Sequence, residues 1–240
     1  MRHVIVTGVS RADLAVVDQL AGLGVATVHE AAGRDGYLGP ELRPIQDGTR
    51  IGGTAVTALC WPGDNLMIHA AVEQCQAGDV LVVTATSPCS DGFFGELLAT
   101  SLSARGVRGL VIEAGVRDVA DLRALGFPVW SAAVSAQGTV KQTPGAVNVP
   151  LSVGGQVIRP GDAIVADDDG VVCVPRTQAS QVLAAARARA TKEEQARQAL
   201  AGGQLGLDLY GLRAKLAARG VEYVTAEQYA ALANQGDEAS

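Results

Sequence analysis

Apolar and polar positions along this chain follow two periods, and they alternate down most of its length. RHVIVTG predicts a strand, and SRADLAVVDQLAGLG predicts an amphipathic helix with Ser10 as its N-cap and a glycine at its end. IGGTAVTALC reads as a strand rich in Val, Thr and Ala. NLMIHAAVEQC reads as a short amphipathic helix, with Gly78 closing the turn after it. DVLVVTAT and VRGLVIEAG are nearly continuous apolar runs, the kind of strand that is buried inside an α/β sheet. Between them, GELLATSLSARG predicts a helix that begins at Gly95 and is capped near Gly106. DVADLRALG predicts another short helix and FPVWSAAV another strand.

After residue 136 the alternation stops. VNVPLSVGGQVIRPGDAIVADDDGVVCVPR holds short strands separated by turn signals at 154–155, 160–162 and 167–170, which predicts β-hairpins. QASQVLAAARARATKEEQARQALAGG predicts a long amphipathic helix, and LDLYGLRAKLAARG and TAEQYAALANQ predict two more helices. Residues 237–240 are expected to fray. The pattern therefore predicts an α/β core over residues 1–200, with an added hairpin layer, and a helical extension over 201–240. A long helix leaving the compact part of a chain commonly packs on a neighbouring subunit, so self-association is expected.

Composition narrows the function classes. With 240 residues, 48% of them hydrophobic and 18% charged, the chain is long and apolar enough for a substantial core. A net charge of −6 disfavours a binder of phosphate backbones, and 4% aromatic residues disfavour base-stacking platforms. MRHVIVTGVS lacks the apolar core of a signal peptide, and no apolar run approaches about 20 residues, so a cytoplasmic protein with no membrane partner is expected. Cys60, Cys75, Cys89 and Cys173 form no CxxC and no common zinc spacing, which predicts reduced thiols. VIVTGVSR resembles the opening of a nucleotide-binding unit, but the glycine spacing that cradles a dinucleotide is missing.

Two segments carry candidate chemistry, because ligand sites in α/β sheets lie beyond the C-terminal ends of strands. In the first, the helix start at Gly95, Glu96, Leu97 and Leu98 presents backbone N–H groups suited to a carboxylate or phosphate. Glu96 there also complements the helix dipole, which is a sufficient structural reason for it. In the second, VIEAGVRDVADL, a strand runs straight into Arg117 and Asp118. An Asp in that loop offers oxygen to a hard divalent cation, and an Arg offers charge-assisted hydrogen bonds to a carboxylate or an enolate. The structural alternative is a surface ion pair of little energetic consequence.

Twenty residues separate Glu96 from Arg117. This E-x20-R-D resembles the signature of the 4-hydroxy-4-methyl-2-oxoglutarate / 4-carboxy-4-hydroxy-2-oxoadipate aldolases, class II pyruvate aldolases with an RraA-like fold. GVATVHEAAGR, GDNLMIHAAVEQCQAGDVLVV, GELLATSLSARGVRGLVIEAGVRD, PVWSAAVSAQGTVKQTPGAVNVP and PGDAIVADDDGVVCVP resemble the family in order. The resemblance spans roughly residues 10–200. It implies an RraA-like swivelling β/β/α layered domain. It also implies Mg²⁺ or Mn²⁺, or another divalent cation, as cofactor, a 2-oxo acid as substrate, inorganic phosphate as activator, and a homotrimer or homohexamer.

The implied roles fall on particular residues. Gly95, Glu96, Leu97 and Leu98 match the backbone that binds pyruvate. Arg117 matches the arginine at the pyruvyl oxygen, and Asp118 the metal ligand. Glu96 matches the acid that holds the metal through water. It is one methylene longer than the Asp of some members, which brings direct ligation within reach. Glu30 matches a glutamate near the bound water. Glu193, or the adjacent Glu194, matches an acid supplied by a neighbouring subunit. Thr139 and Lys141 match polar residues near the substrate or the activating phosphate.

The implied reaction is retro-aldol cleavage of a 4-hydroxy-2-oxo acid to pyruvate, with oxaloacetate decarboxylation as a secondary activity. A Schiff-base route needs a buried lysine of lowered pKa, and the chain has only Lys141, Lys192 and Lys215, two of them on helices expected to be exposed. His3, His29 and His69 are expected to be structural, or to support the site from behind the residues that contact substrate, and not to act as general bases. The competing reading is a non-enzymatic regulator of the RraA type that binds ribonuclease E, because one fold hosts both functions.

Overall fold

A computed structural model describes residues 2–237, with side-chain surroundings through residue 231. It divides into two compact units, residues 1–190 and 191–240. The first unit opens with β1 (Val4–Ile5), α1 (Leu14–Leu23), α2 (Val25–Ala31), β2 (Arg43–Pro44) and β3 (Ile51–Cys60). It continues through α3 (Leu66–Gln74), β4 (Asp79–Ala85), β5 (Gly92–Phe94), α4 (Glu96–Ala104), β6 (Gly109–Val116), α5 (Val119–Leu125) and β7 (Val129–Val134). Short strands follow: β8 (Ala146–Val147), β9 (Leu151–Val153), β10 (Gln156–Ile158), β11 (Ala163–Asp167) and β12 (Gly170–Val174). The long helix α6 (Ala179–Ala201) starts in the first unit and ends in the second. Then come α7 (Gly206–Leu209), α8 (Leu212–Ala218) and α9 (Ala226–Asp237).

The centre of the fold is a parallel run of β3, β4, β6 and β7, within a sheet ordered β1-β8-β3-β4-β6-β7-β2. Both faces of these strands are covered, which is why their sequences are apolar at successive positions and not only at alternate ones. One face packs Ile68 of α3, Leu102 of α4 and Leu122 of α5. The other packs Trp130 of β7 with Val153, Ile158 and Ile164 from the later strands. A third cluster sets Val17 and Leu20 of α1 and Val182 and Leu183 of α6 against Val165 and Val172.

Three expectations change in the structure. Ser10 does not cap α1; Asp13 does, its side chain accepting from the Ala15 N–H at 2.9 Å, so the helix starts three residues later. The hairpin β11–β12 is not a separate layer throughout. β11 pairs antiparallel with β3 and extends the main sheet, and only β9–β10 forms a sheet of its own. LDLYGLRAKLAARG is not one helix, because Gly211 takes a left-handed conformation (φ 62°) between α7 and α8. The fraying expected at residues 238–240 lies outside the described residues.

Candidate functional site

The C-terminal end of β6 meets the N-terminal end of α4 at one junction. β5 brings them together by pairing with the last residues of β6, Gly92 opposite Gly115 and Phe94 opposite Val116. The Arg117 N–H then donates to the Phe94 carbonyl at 2.8 Å, so Arg117 starts its loop directly against the start of α4. Asp118 follows with φ 55°, in the left-handed region, where an Asp is uncommon but tolerated. It occupies the cap position of α5 without making a side-chain cap hydrogen bond. Its carboxylate is turned the other way: Oδ2 accepts from the Glu96 N–H at 3.3 Å and lies 3.6 Å from Arg117 Nε.

Gly95 makes this contact possible. A Cβ at residue 95 would overlap Asp118 Oδ2 and lie 3.1 Å from Arg117 Cγ. Gly115 serves the loop before it in the same way, since a Cβ there would overlap the Ser90 carbonyl. Both side chains of the pair remain accessible, Arg117 at 48% and Asp118 at 39%. The first N–H groups of α4 have no carbonyl partner within the helix, and that of Glu96 is directed at Asp118.

A cavity of about 100 Å³ adjoins the junction and is lined by Asn65, His69, Gly95, Arg117, Asp118 and Lys141, among others. A shallower one of about 350 Å³ lies on the far side of Arg117 and Asp118, against Val134, Ser135 and Ala136. The His69 pKa is lowered from its ordinary value, first by burial and then by the charge of Lys141, so this imidazole is neutral at neutral pH. A larger cavity of about 660 Å³ is bounded by the loop after β4, with Glu41, Thr84 and Glu113 on its walls. No Lys, Arg or His lines it, so it does not suit an acidic ligand.

The structure brings together Gly95, Glu96, Leu97, Leu98, Arg117, Asp118 and Lys141. Thr139 lies two residues before Lys141, next to Gly138, where an added Cβ would sit 3.3 Å from an Arg117 guanidinium nitrogen. Glu30 is not among the residues lining the two cavities at Arg117. It sits on α2 in ion pairs with Arg34 (3.0 Å) and Arg189 (3.6 Å). Glu193 lies in the second unit, half-buried on α6, and Glu194 pairs there with Arg197. Asn65 and His69 were not singled out for the site by the sequence. The available signal was their spacing of four across the start of α3, one turn from its cap position.

Three other reactive groups are held out of chemistry by burial. The four cysteines are free thiols. Burial pushes the Cys60 and Cys75 thiols up to about 12 and raises that of Cys173 as well. Among the described residues no three His, Cys, Asp or Glu side chains cluster as a metal cage, and no helix is long and apolar enough to cross a membrane.

Comparison with known proteins agrees with this architecture. A protein of Halalkalibacterium halodurans, provisionally named 4-hydroxy-4-methyl-2-oxoglutarate aldolase, is 28% identical over 84% of this chain and 96% of its own length. A Burkholderia multivorans protein with the same provisional name is 37% identical over 59% of this chain and 86% of its own. Among solved structures, Streptomyces coelicolor RraAS2, described as an unusual member of the RNase ES inhibitor RraA protein family, superposes with a TM-score of 0.71. It is 30% identical, covering 79% of this chain and 99% of its own. The model of the RraA-like family, described as Aldolase/RraA, matches residues 15–173, and the chain belongs to that family.

Proposed function

We propose that this protein is a lyase of the class II pyruvate aldolase type. It would cleave a 4-hydroxy-2-oxo acid such as 4-carboxy-4-hydroxy-2-oxoadipate or 4-hydroxy-4-methyl-2-oxoglutarate, and decarboxylate oxaloacetate as a secondary activity. The observation that carries this reading is the junction itself. A cation, a carboxylate and free helix N–H groups converge on one small cavity, and Gly95 leaves the space for them. The names of the aldolase relatives support the same reading.

Each group has a separate task. The N–H groups of Leu97 and Leu98 bind the carboxylate of the 2-oxo acid at the start of α4. Arg117 directs its guanidinium to the C2 oxygen, where negative charge grows as the C3–C4 bond breaks and pyruvate leaves as its enolate. The donor set fits a hard divalent cation that keeps most of its waters: Asp118 offers carboxylate oxygens at the cavity, and Glu96, whose carboxylate accepts from the Thr100 hydroxyl at 2.7 Å, is left a water-bridged role. Asp118 would hold that cation, with Glu96 acting through water. When bound, it supplies Lewis-acid stabilisation of the same developing charge. Glu193, supplied by a neighbouring subunit of a trimer or hexamer, and Glu30 would poise the metal-bound or carboxylate-held water that relays the C4 hydroxyl proton to a carboxylate. Thr139 and Lys141 bind substrate or an activating inorganic phosphate.

Pyruvate release from 4-carboxy-4-hydroxy-2-oxoadipate and from oxaloacetate, with Mg²⁺ and with chelator, tests the proposal. Metal-dependent release is expected; none from either substrate would overturn it. The second reading, a regulator that binds ribonuclease E, is favoured by the similarity to RraAS2. It predicts inhibition of ribonuclease E that survives Arg117→Ala and Asp118→Asn.

A further inference from the structure

The cavity at Arg117 includes a residue with an unsatisfied buried atom. Asn65 stands at the position before α3 where an asparagine side chain ordinarily caps the helix, yet it makes no capping hydrogen bond. Asp64 binds there instead. Its Oδ1 accepts from the Leu66 N–H at 2.9 Å, and its Oδ2 accepts from the Gln142 and Thr143 N–H groups at 2.8 and 2.7 Å. Asn65 turns inward and is only 7% exposed. Its Nδ2 donates to the Phe93 carbonyl at 2.7 Å, which sets the orientation of the amide, because a carbonyl oxygen accepts only from the nitrogen side. Oδ1 is then buried without a hydrogen-bond partner. An acceptor left in that state is costly, so its retention points to a donor that arrives from outside the fold.

The surroundings restrict that donor. Asn65 lines the cavity together with His69, Arg117, Asp118 and Lys141, and Lys141 does not satisfy Oδ1. Carboxylate and phosphate oxygens are acceptors and would be repelled by Oδ1. A hydroxyl group has the required hydrogen. With the 2-oxo acid end of a substrate at Arg117, C4 is two bonds from the carbonyl carbon, so a C4 hydroxyl lies within the span of a cavity this small. We infer that Asn65 Oδ1 accepts a hydrogen bond from the C4 hydroxyl of a 4-hydroxy-2-oxo acid. Through that bond the site distinguishes such a substrate from a 2-oxo acid lacking the hydroxyl. Asn65 does not take the proton, since an amide is not basic; it orients the hydroxyl whose proton a base removes. This inference rests on the retro-aldol reading above.

The test compares wild type with Asn65→Leu on 4-hydroxy-4-methyl-2-oxoglutarate and on oxaloacetate, which has no C4 hydroxyl. The ratio of kcat/KM for the hydroxy acid to that for oxaloacetate is expected to fall roughly 10- to 100-fold in the variant, the range for loss of one buried hydrogen bond. An equal loss on both substrates overturns the inference and makes Asn65 a packing or water-binding residue. A wild-type enzyme that turns over neither substrate overturns the retro-aldol reading instead. If Asn65→Leu does not fold, the wild type decides. As a competitor of oxaloacetate, 4-hydroxy-2-oxoglutarate is expected to act at concentrations about tenfold lower than 2-oxoglutarate, and equal competition overturns the inference.

Discussion

Two Arg–Asp pairs in this molecule use the same chemistry to opposite ends. Arg11 and Asp79 are 68 residues apart in sequence and meet in the interior, with Arg11 Nε and Nη2 donating to the two carboxylate oxygens at 2.8 and 2.9 Å. Asp79 also accepts from the Thr54 hydroxyl and from the Gln76 N–H, and it is 1% exposed. The hydrogen bond to Asp79 raises the Arg11 pKa despite partial burial. Arg117 and Asp118 are sequence neighbours, separated by 3.6 Å at an exposed junction, and Asp118 makes one long hydrogen bond to the Glu96 N–H. The first pair is saturated and fastens the start of β4 to the segment before α1. The second is left short of partners, with a left-handed Asp held against a glycine. A carboxylate with few protein partners beside a cavity is available to a ligand, and one with four is not.

Four changes bear on this contrast, beginning with the largest effect. Asp79→Ala leaves the Arg11 guanidinium half-buried without its partner and is expected to destabilise the protein by about 3–5 kcal/mol, read from urea unfolding. A loss under 1 kcal/mol would mean that the buried pair is not structural. Asp118→Asn keeps a side chain that tolerates the left-handed conformation and is expected to leave stability within about 0.5 kcal/mol. Pyruvate release should nevertheless fall by roughly 10²- to 10³-fold, the scale for losing one aimed electrostatic contact; near-normal turnover would show that the exposed pair is only a surface ion pair.

Gly95→Ala pushes the added methyl into Asp118 Oδ2. Turnover should drop by roughly 10²-fold, the scale for a 1 Å misplacement of a reacting group. Thermal unfolding should change little, because the displaced atoms end a movable side chain. An unchanged rate would show that the close approach of α4 to Asp118 is not needed. The smallest effect concerns His69, whose folded pKa lies below the ordinary imidazole value. Below that ordinary value, about 6.5, the unfolded chain binds the proton more readily than the folded one. The contribution to stability is therefore complete above this pH and declines as pH falls toward the folded pKa. His69→Gln should flatten the loss of stability as pH falls below about 6.5; an unaltered slope would remove His69 as a source.

Much of the fold was legible because its periods are strong. The buried strands β3, β4, β6 and β7 and helices α3, α4 and α5 fall within the segments that their apolar patterns marked, since a strand covered on both faces has little choice of residue. β5 was missed: it is three residues long and exists through its pairing with the end of β6, which no local pattern announces. The cap of α1 was misplaced because Ser10 and Asp13 are both capable caps, and packing chose between them.

The sequence by itself determined the chemical inventory: which carboxylates and cations exist, that Glu96 precedes Arg117 by a fixed spacing, and that glycine stands at position 95. Spacing along a chain carries no information about direction in space. Only the tertiary structure decided that Asp118 turns back toward the start of α4, that Asp64 takes over the cap and leaves Asn65 facing a cavity, and that Glu30 is engaged with Arg34 and Arg189. These choices depend on pairings between strands and helices far apart in sequence, where burial and unsatisfied hydrogen bonds are settled for the fold as a whole and not residue by residue.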